Sequence, residues 1–598
     1  MNIFRPGKIV MLFVLVIVLT TMLAWVSMAQ QAQKAPASGK TGNLAETHKG
    51  KEVSCKACHG ETLKVDDNET SVNSQCISCH GSSGEIAKKS KGHNINPHKS
   101  HLGETDCTVC HHGHASSKAY CLNCHAFNMP IPGSDAKMQT KKDKVKTDAD
   151  KDKTDIVIIG AGATGFTAAI TAHDAGAKVI IIEKQPITGG NSMLSAGGMN
   201  AANTNVQAKK GIKDSPELMY KDTMSGGKNI NDPELVKILA EKSSESVGWL
   251  ASIGADMNDL GRLAGASVNR THRPTGGAVV GPHLINVLRK NAADRKIDVR
   301  VNSNVVQILR DNNGKVTGVQ VEGKHRGLYV VEAKAVIVAS GGFSANATMV
   351  ESYRPEYKGM TTSNQPGATG DGVKLGEAAG GRIIDMKEIQ IHPTVAAGSK
   401  ILITEAVRGN GAILVNKIGK RFVNELTTRD AASAAILKQQ DKMAYLVFDE
   451  IIRKSLRQIE GYFHLELVKE GATLKDLAAA VGMPADALET TITAYNTAFD
   501  TKNDAEFKRP DMPRPIKTPK FYAIGVQPGI HYTMGGLKIN SRAQVIDKDG
   551  KPISGLFAAG EVTGGVHGAN RLGGNSISET ITFGRIAGEN AGKLVLKK

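Results

Sequence analysis

Every cysteine of the chain, eight in all, belongs to one of four Cys-x-x-Cys-His units. They are Cys55/Cys58/His59, Cys76/Cys79/His80, Cys107/Cys110/His111 and Cys121/Cys124/His125. Thiol pairs in an exported protein can form disulfides, and two pairs can build a tetrahedral zinc site. Neither accounts for a histidine directly after each pair. Cys-x-x-Cys-His is the attachment signature of c-type haem, in which two thiols add across the vinyl groups and the adjacent imidazole ligates the iron. Four copies that consume every cysteine predict four covalent haems. The surrounding segment has few large aliphatics for its length, so porphyrins would have to supply its core.

Each iron, with His59, His80, His111 or His125 on one side, needs a sixth ligand. Six more histidines lie nearby, His48, His93, His98, His101, His112 and His114, against one methionine, Met129. Bis-histidine ligation is expected, which suits low-potential electron transfer. At least two of the six histidines are surplus.

A second constellation is "TDIVIIGAGATGFTAAITAHDAGAKVIIIEK". Gly160-x-Gly162-x-x-Gly165 follows a buried strand, Asp155–Ile159, and opens a helix. A second strand, Ala177–Ile182, ends at Glu183. The glycines allow a tight turn and close approach of a pyrophosphate to the helix N-terminus, and Glu183 is at the right distance for an adenosine ribose. Three further segments favour FAD over NAD. "TGGNSMLSAGGMNAA" (188–202) is another glycine-rich loop. A hairpin at Asn312-Asn313-Gly314 precedes the strand "AVIVASGG" (335–342). "GLFAAGEVTGGVHGANRLGGNSISETITFGRIAG" joins a strand, glycine-rich loops and a helix that could cover an isoalloxazine ring. No second βαβ unit offers a site for NADH, so electrons are expected from a protein donor.

These groups need several supporting bodies. At 598 residues the chain is too long for one core. Its 64 glycines and 4% aromatics suit an α/β nucleotide-binding protein. The net charge of +17 is spread out, with no basic stripe interleaved with aromatics. Anionic cofactors would offset much of it, and nucleic acid is not an expected partner. Arg5 and Lys8 precede an apolar run, Ile9–Val26, followed by Ser27-Met28-Ala29. Residues 1–29 therefore read as an export signal cleaved after Ala29, with a retained membrane anchor as the alternative. Either places the rest in the periplasm. Residues 30–47 form a polar leader, 48–132 the tetrahaem domain and 133–153 a charged linker.

The segments "QIHPT" (390–394), "TEAVRGNGAILVN" (404–416), "RFVNELTTRD" (421–430), "HYTMGG" (531–536) and "GANRLGGNS" (568–576), joined to four haem units, carry a family resemblance. The chain resembles the soluble periplasmic flavocytochrome c fumarate reductases of Shewanella-type bacteria. The resemblance implies a multidomain fold. A small haem-packed cytochrome domain, mostly α or irregular, precedes an α/β Rossmann-like FAD-binding domain (154–391 and 526–598), which holds an inserted α+β clamp domain (392–525). It also implies anaerobic reduction of fumarate to succinate by a soluble, monomeric protein fed by a membrane or periplasmic cytochrome.

Residue roles follow from the same resemblance. His392 and Thr404 would hold one substrate carboxylate, and His531 and Arg571 the other. Arg429 matches the proton donor, with Glu405 and Arg408 as the relay behind it; Glu405 and Arg429 also face the substrate. His48, His98, His101 and His114 match the distal haem ligands. The FAD contacts would be Gly160, Ala161, Gly162, Gly165, Glu183, Lys184, Gly190, Asn191, Ser192, Gly197, Gly198, Asp371, Glu561, Arg571, Gly574, Ser576 and Ile577. Segment 188–202 has no histidine, so the FAD should be non-covalent. Leu263 and Leu402 stand where methionines are expected, a change of shape at similar volume.

The chemistry agrees with these residue types. Reducing an activated C=C requires a hydride at one carbon, a proton at its neighbour and stabilisation of the developing carbanion. Reduced FAD supplies hydride, and cations at both carboxylates suit a dianion. A reductase of another enoate, such as urocanate, methacrylate or a cinnamate-type acid, is the first alternative, although a mono-acid enzyme should lose one carboxylate pair. An electron-storage or relay flavocytochrome with a vestigial flavin site is the second. The presence of Arg429, Glu405 and Arg408 speaks against it.

Overall fold

The computed structural model describes residues 44–49, 51, 53, 70–89, 96, 98, 105–112, 117, 118, 120, 152–263 and 265–597. The expected export signal, most of the leader and the linker up to residue 151 lie outside these residues. So do Cys55, Cys58, His59, His101, His114, Cys121, Cys124 and His125.

The chain divides into two compact units. One comprises residues 1–55, 110–119 and 129–141. It contains the helix Leu44–Lys49, whose His48 carbonyl accepts from the amides of Lys51 and Val53 at 2.9 and 3.0 Å. It also contains Cys110, whose carbonyl accepts from Lys118 N.

The other unit comprises residues 56–109, 120–128 and 142–598. Its haem-binding part has the helix Thr70–His80, followed by Ser83–Lys89. Cys76 and Cys79 are three residues apart on the first helix and share a face with His80, four residues after Cys76. Cys107 opens a single 3₁₀ turn and its amide donates to Asn73 Oδ1 at 2.7 Å.

The nucleotide-binding part is built on a six-stranded sheet in the order Gln544–Ile546, Pro552–Ala558, Ala335–Val338, Ile156–Ile159, Val179–Ile182, Asp298–Arg300. All neighbours are parallel except the first pair. Ile156–Ile159 and Val179–Ile182 are continuous apolar runs buried along their whole length, as parallel strands covered on both faces must be. The helices Ala163–Asp174 and Asn575–Leu596 pack together, and at Gly588 an added Cβ would lie 2.4 Å from the Ala168 carbonyl.

Three strands are shorter than their sequence suggests, the one expected from Ala177 starting only at Val179. The first begins at Ile156 because the Asp155 carboxylate accepts from Lys178 N at 3.0 Å and Lys334 Nζ at 2.8 Å. The strand after the hairpin stops at Val338; Ala339, Ser340 and Gly341 leave the sheet and line a cavity instead.

A second apolar core runs from Ala396 to Val526. Its sheet orders Ile389–Ala396, Phe521–Thr533, Ala444–Asp449 and Ile413–Val415, with Val468–Gly471 also paired to Phe521–Thr533. The long strand Phe521–Thr533 passes from this core to the first. Its first half pairs with Ala444–Asp449 and its second with Ile389–Ala396. That register sets His392 opposite Gly529 and Gln390 opposite Tyr532, so two histidines from distant segments meet. Among the described residues no helix is long and apolar enough to cross a membrane.

Candidate active site

A cavity of about 530 Å³ opens at the C-terminal ends of the parallel strands, where ligands of such sheets bind. At one end it is lined by Gly160, Gly162, Glu183 and Lys184, and along its length by Gly190, Asn191, Ser192, Gly197, Gly198 and Asp371. Glu561, Gly574, Ser576 and Ile577 also face it, as do His392, Thr404, Glu405, Arg429, His531 and Arg571. The expected flavin and substrate residues thus share one cavity. Ala161, Gly165 and Arg408 stand behind its wall.

The three glycines of the loop have three different reasons. Gly160 has φ +105°, and an added Cβ would lie 2.6 Å from the Ala339 carbonyl. At Gly165 a Cβ would lie 1.9 Å from the Gly160 carbonyl, so helix and loop need its absence. Gly162 is different. Its φ of −78° is open to any residue, and a Cβ there would meet no protein atom nearer than Ser192 Oγ at 4.0 Å. Neither backbone nor packing requires glycine at 162, whereas a pyrophosphate against the helix start would. The cradle therefore fits a dinucleotide.

Glu183 holds the loop as well as facing the cavity. Its carboxylate accepts from Ala161 N at 2.9 Å and Gln185 N at 2.8 Å, and burial raises its pKa. Lys184 donates to both Asp371 and Thr369, so two expected FAD residues are paired with each other. Asn191 is held by Asn364 and by the amide of Gln365. Tyr120, next to the fourth cysteine unit, donates to Gln185 at 3.3 Å.

At the other end of the cavity the charges converge. Glu405 opens the short helix Glu405–Gly409, capped by Thr404 Oγ1, and Arg429 opens the helix Arg429–Leu437. Arg429 Nε donates to Glu405 Oε1 at 2.5 Å and Nη1 to Gln390 Oε1 at 2.9 Å. Arg408 Nη2 approaches the same Glu405 oxygen at 3.8 Å. Burial alone would raise the Glu405 pKa; Arg429 and Arg408 outweigh it and hold it at about 2. Burial and the nearby Arg429 push Arg571 down to about 10.

His392 and His531 lie edge to face with ring centroids 5.2 Å apart. Burial holds both pKa values well below the usual histidine value, with Arg429, Arg408 and Arg571 adding to it at His392, and Arg429, Arg571 and His392 at His531. Both are therefore neutral. The amide of Thr394 donates to His392 Nδ1 at 3.2 Å, which assigns the ring proton to Nε2, 3.7 Å from Glu405 Oε1. Nε2–H is thus a donor offered to the cavity. His531 Nδ1 is 2.8 Å from Ser363 Oγ.

Several residues were not singled out from the sequence. Gln390 accepts from Arg429 and donates to the Arg571 carbonyl at 2.9 Å, joining two segments that carry cations. Tyr462 Oη accepts from Thr404 N at 2.9 Å. Ser363 supports His531, and Tyr532 lies under Arg571. Gln390 and Tyr532 belong to the segments already quoted; Tyr462 and Ser363 belong to no motif.

Behind Arg408 lies a buried ionic network. Glu425 accepts from Arg421 Nε and Nη2 at 2.8 Å each and from Arg509 Nη1 at 3.1 Å. Arg509 Nη2 also donates to the Arg408 carbonyl at 2.6 Å, and Arg408 Nη1 donates to the Glu425 carbonyl at 2.6 Å.

The FAD binding domain family matches residues 155–577 and the cytochrome c3 family residues 47–126. A protein named fumarate reductase (cytochrome), from Shewanella frigidimarina, is 49% identical over 565 residues, covering 92% of this chain and 99% of its own. A urocanate reductase from Eggerthella lenta is 36% identical over 454 residues, 74% of this chain and 75% of that protein. The open conformation of a flavocytochrome c3 fumarate reductase superposes with a TM-score of 0.83 at 47% identity, covering 93% of this chain and 100% of that one. With both family profiles matched in order and near full-length relatives at this identity, the chain belongs to the flavocytochrome c fumarate reductase family.

Proposed function

We propose that this protein reduces fumarate to succinate in the periplasm, with four c-type haems and one non-covalent FAD as cofactors. The observation that carries this reading is the pairing of Arg429 with Glu405, with His392, His531 and Arg571 beside them, in the cavity the dinucleotide cradle lines. When bound, FAD supplies a hydride and the haems the single electrons that restore it.

The chain's own residues do the rest. Gly160, Gly162, Gly165 and Ala161 shape the pyrophosphate cradle, Glu183 serves the ribose, and Lys184, Gly190, Asn191, Ser192, Gly197, Gly198, Asp371, Glu561, Gly574, Ser576 and Ile577 line the remainder. Arg571 and His531 hold one carboxylate of fumarate; His392, through Nε2–H, and Thr404 hold the other. The donors on the enolate-like end bind the developing charge more strongly in the transition state than in the ground state, which lowers the barrier.

Arg429 then protonates the second carbon. A guanidinium is a weak acid, with a pKa above ~12. The carbanion is a strong base, and the Glu405 carboxylate, 2.5 Å from Arg429, can accept a proton from Arg408, itself restored from solvent, and pass it on as Arg429 gives one up. Arg429 need never persist as a neutral base. Arg408 completes the relay behind Glu405.

Export through residues 1–29, the leader at 30–47, the haem domain at 48–132 and the linker at 133–153 complete this reading. So do FAD-binding segments at 154–391 and 526–598, an inserted clamp at 392–525 and a membrane or periplasmic cytochrome as electron donor. The haem sites are Cys55, Cys58, Cys76, Cys79, Cys107, Cys110, Cys121 and Cys124. The iron ligands are His59, His80, His111 and His125, opposite His48, His98, His101 and His114. Dicarboxylate clamping supports fumarate over urocanate, methacrylate and cinnamate-type acids. A steady-state assay with reduced methyl viologen and this enoate panel tests it: fumarate should have the highest kcat/KM. A higher value for a mono-acid would reassign the substrate, and no turnover of any enoate would make the protein an electron relay.

A further inference from the structure

Arg571 is a buried cation held in an unusual way. Its Nη1 donates to the Leu572 carbonyl at 3.2 Å, and its Nε has no hydrogen-bond partner among the described residues. The guanidinium instead lies over the ring of Tyr532, with Cζ 4.4 Å from the centroid. Tyr532 is itself fixed from behind. Its hydroxyl donates to Glu579 Oε2 at 2.8 Å, and His567 Nε2 meets the same oxygen at 2.8 Å. Thr563 Oγ1 donates to Glu579 Oε1 at 3.3 Å, and the His567 ring packs edge to face with Tyr532 at 5.6 Å. Tyr532, His567 and Glu579 are all buried.

We propose that Tyr532, anchored by Glu579 and His567, is a positioning residue for Arg571. This rests on the reading of Arg571 as a ligand of a substrate carboxylate. A long side chain in a cavity must be fixed before the substrate arrives, or binding has to bear the cost of ordering it. A carboxylate could fix it, but would compete with the substrate for the same charge. An aromatic face attracts a guanidinium without neutralising it. Glu579 meets the tyrosine hydroxyl and not the guanidinium, so it locks the ring while the charge of Arg571 stays available to a dianion. The strand Phe521–Thr533 supplies the ring and the helix Asn575–Leu596 the anchor.

The test uses the haem- and FAD-loaded enzyme with reduced methyl viologen and fumarate, comparing Tyr532→Leu, Tyr532→Phe, Glu579→Gln, Arg571→Lys and Tyr532→Leu/Arg571→Lys. Tyr532→Leu should raise KM by about tenfold while kcat stays within about threefold and FAD content is unchanged, because uniform binding is what is lost. Tyr532→Phe keeps the ring and should rescue most of the KM, leaving a rise of about two- to threefold that Glu579→Gln reproduces. In the Arg571→Lys background, Tyr532→Leu should add less than about twofold, since both changes act through one group. A KM for Tyr532→Leu within about twofold of wild type, or independent multiplication of the two effects, overturns the inference. Should Tyr532→Leu lose its FAD, unchanged KM in both Tyr532→Phe and Glu579→Gln overturns it equally. If Arg571→Lys alone leaves KM unchanged, the ligand reading of Arg571 fails and the inference falls with it; if only the Tyr532 variants are silent, that reading stands.

Discussion

Arg429 and Glu405 are in direct contact, Nε to Oε1 at 2.5 Å, although they open two different helices and are 24 residues apart in sequence. The contact makes the proposed donor and the relay behind it one unit before any substrate binds. It also explains how a largely buried carboxylate keeps its charge: burial opposes ionisation and the two guanidiniums overcome it.

Arg429→Ala should abolish detectable fumarate reduction while haem and FAD content stay normal. Arg429→Lys should retain a little activity with an altered pH profile. A kcat for Arg429→Ala within about tenfold of wild type, a loss of only ~1.4 kcal/mol, would show that the proton comes from elsewhere. Glu405→Gln should lower kcat by about 10²- to 10⁴-fold, the usual worth of positioned proton transfer.

The pH profile of kcat/KM should lack a histidine limb. His392 and His531 are held well below the usual histidine value by burial, so both are neutral at neutral pH. Glu405, at about 2, is below its ordinary 4.5, so its charge favours the folded state above pH 4.5, a contribution lost only as pH falls toward 2. Around neutral pH neither kind of group should titrate in the free enzyme. An ionisation near pH 6.5 that disappears in His531→Gln would contradict this.

Gly162 offers a test of the flavin cradle. Gly162→Ala adds a methyl in an ordinary backbone conformation, into space the protein leaves open. The variant should unfold within about 0.5 kcal/mol of wild type, as substitutions without clashes do, yet lose most of its FAD. The wild type should give four haems by pyridine haemochrome and release its FAD on denaturation. Full flavin occupancy in Gly162→Ala would remove the pyrophosphate from that position.

The network behind Arg408 should govern stability. Glu425 and Arg509 are both fully buried and their side chains pair at 3.1 Å. Removing Arg509 leaves Glu425 to Arg421 alone and takes the donor from the Arg408 and Ala412 carbonyls, so Arg509→Met should cost roughly 1–3 kcal/mol in denaturant unfolding. Its loss should also lower kcat, because Arg509 holds the Arg408 carbonyl. A change below about 1 kcal/mol, the scale of an exposed ion pair, would mean the network is hydrated and slack.

The glycine loop, the cysteine units and the cationic segments were legible because their chemistry is local. Cys76, Cys79 and His80 sit within one stretch of helix, and Gly160, Gly162 and Gly165 within one turn. Partners chosen by packing were not legible. Ser363 is 168 residues from His531, Tyr462 is 58 from Thr404, and Arg509 is 84 from Glu425. Even a strand end escaped, because the Asp155 side chain captured Lys178 N, an amide 23 residues away.

By itself the sequence determined which cofactors the chain is built to take, since four thiol pairs with histidines and a strand–glycine–helix unit specify haem and dinucleotide wherever they fold. Only the tertiary structure decided which cations face one another. Strand Phe521–Thr533 is shared by two cores, and its register against Ile389–Ala396 sets His392 beside His531. A one-residue slip would turn those side chains to the opposite face. That register comes from burial on both sides of the strand, a property of the whole sheet that no short stretch of residues encodes.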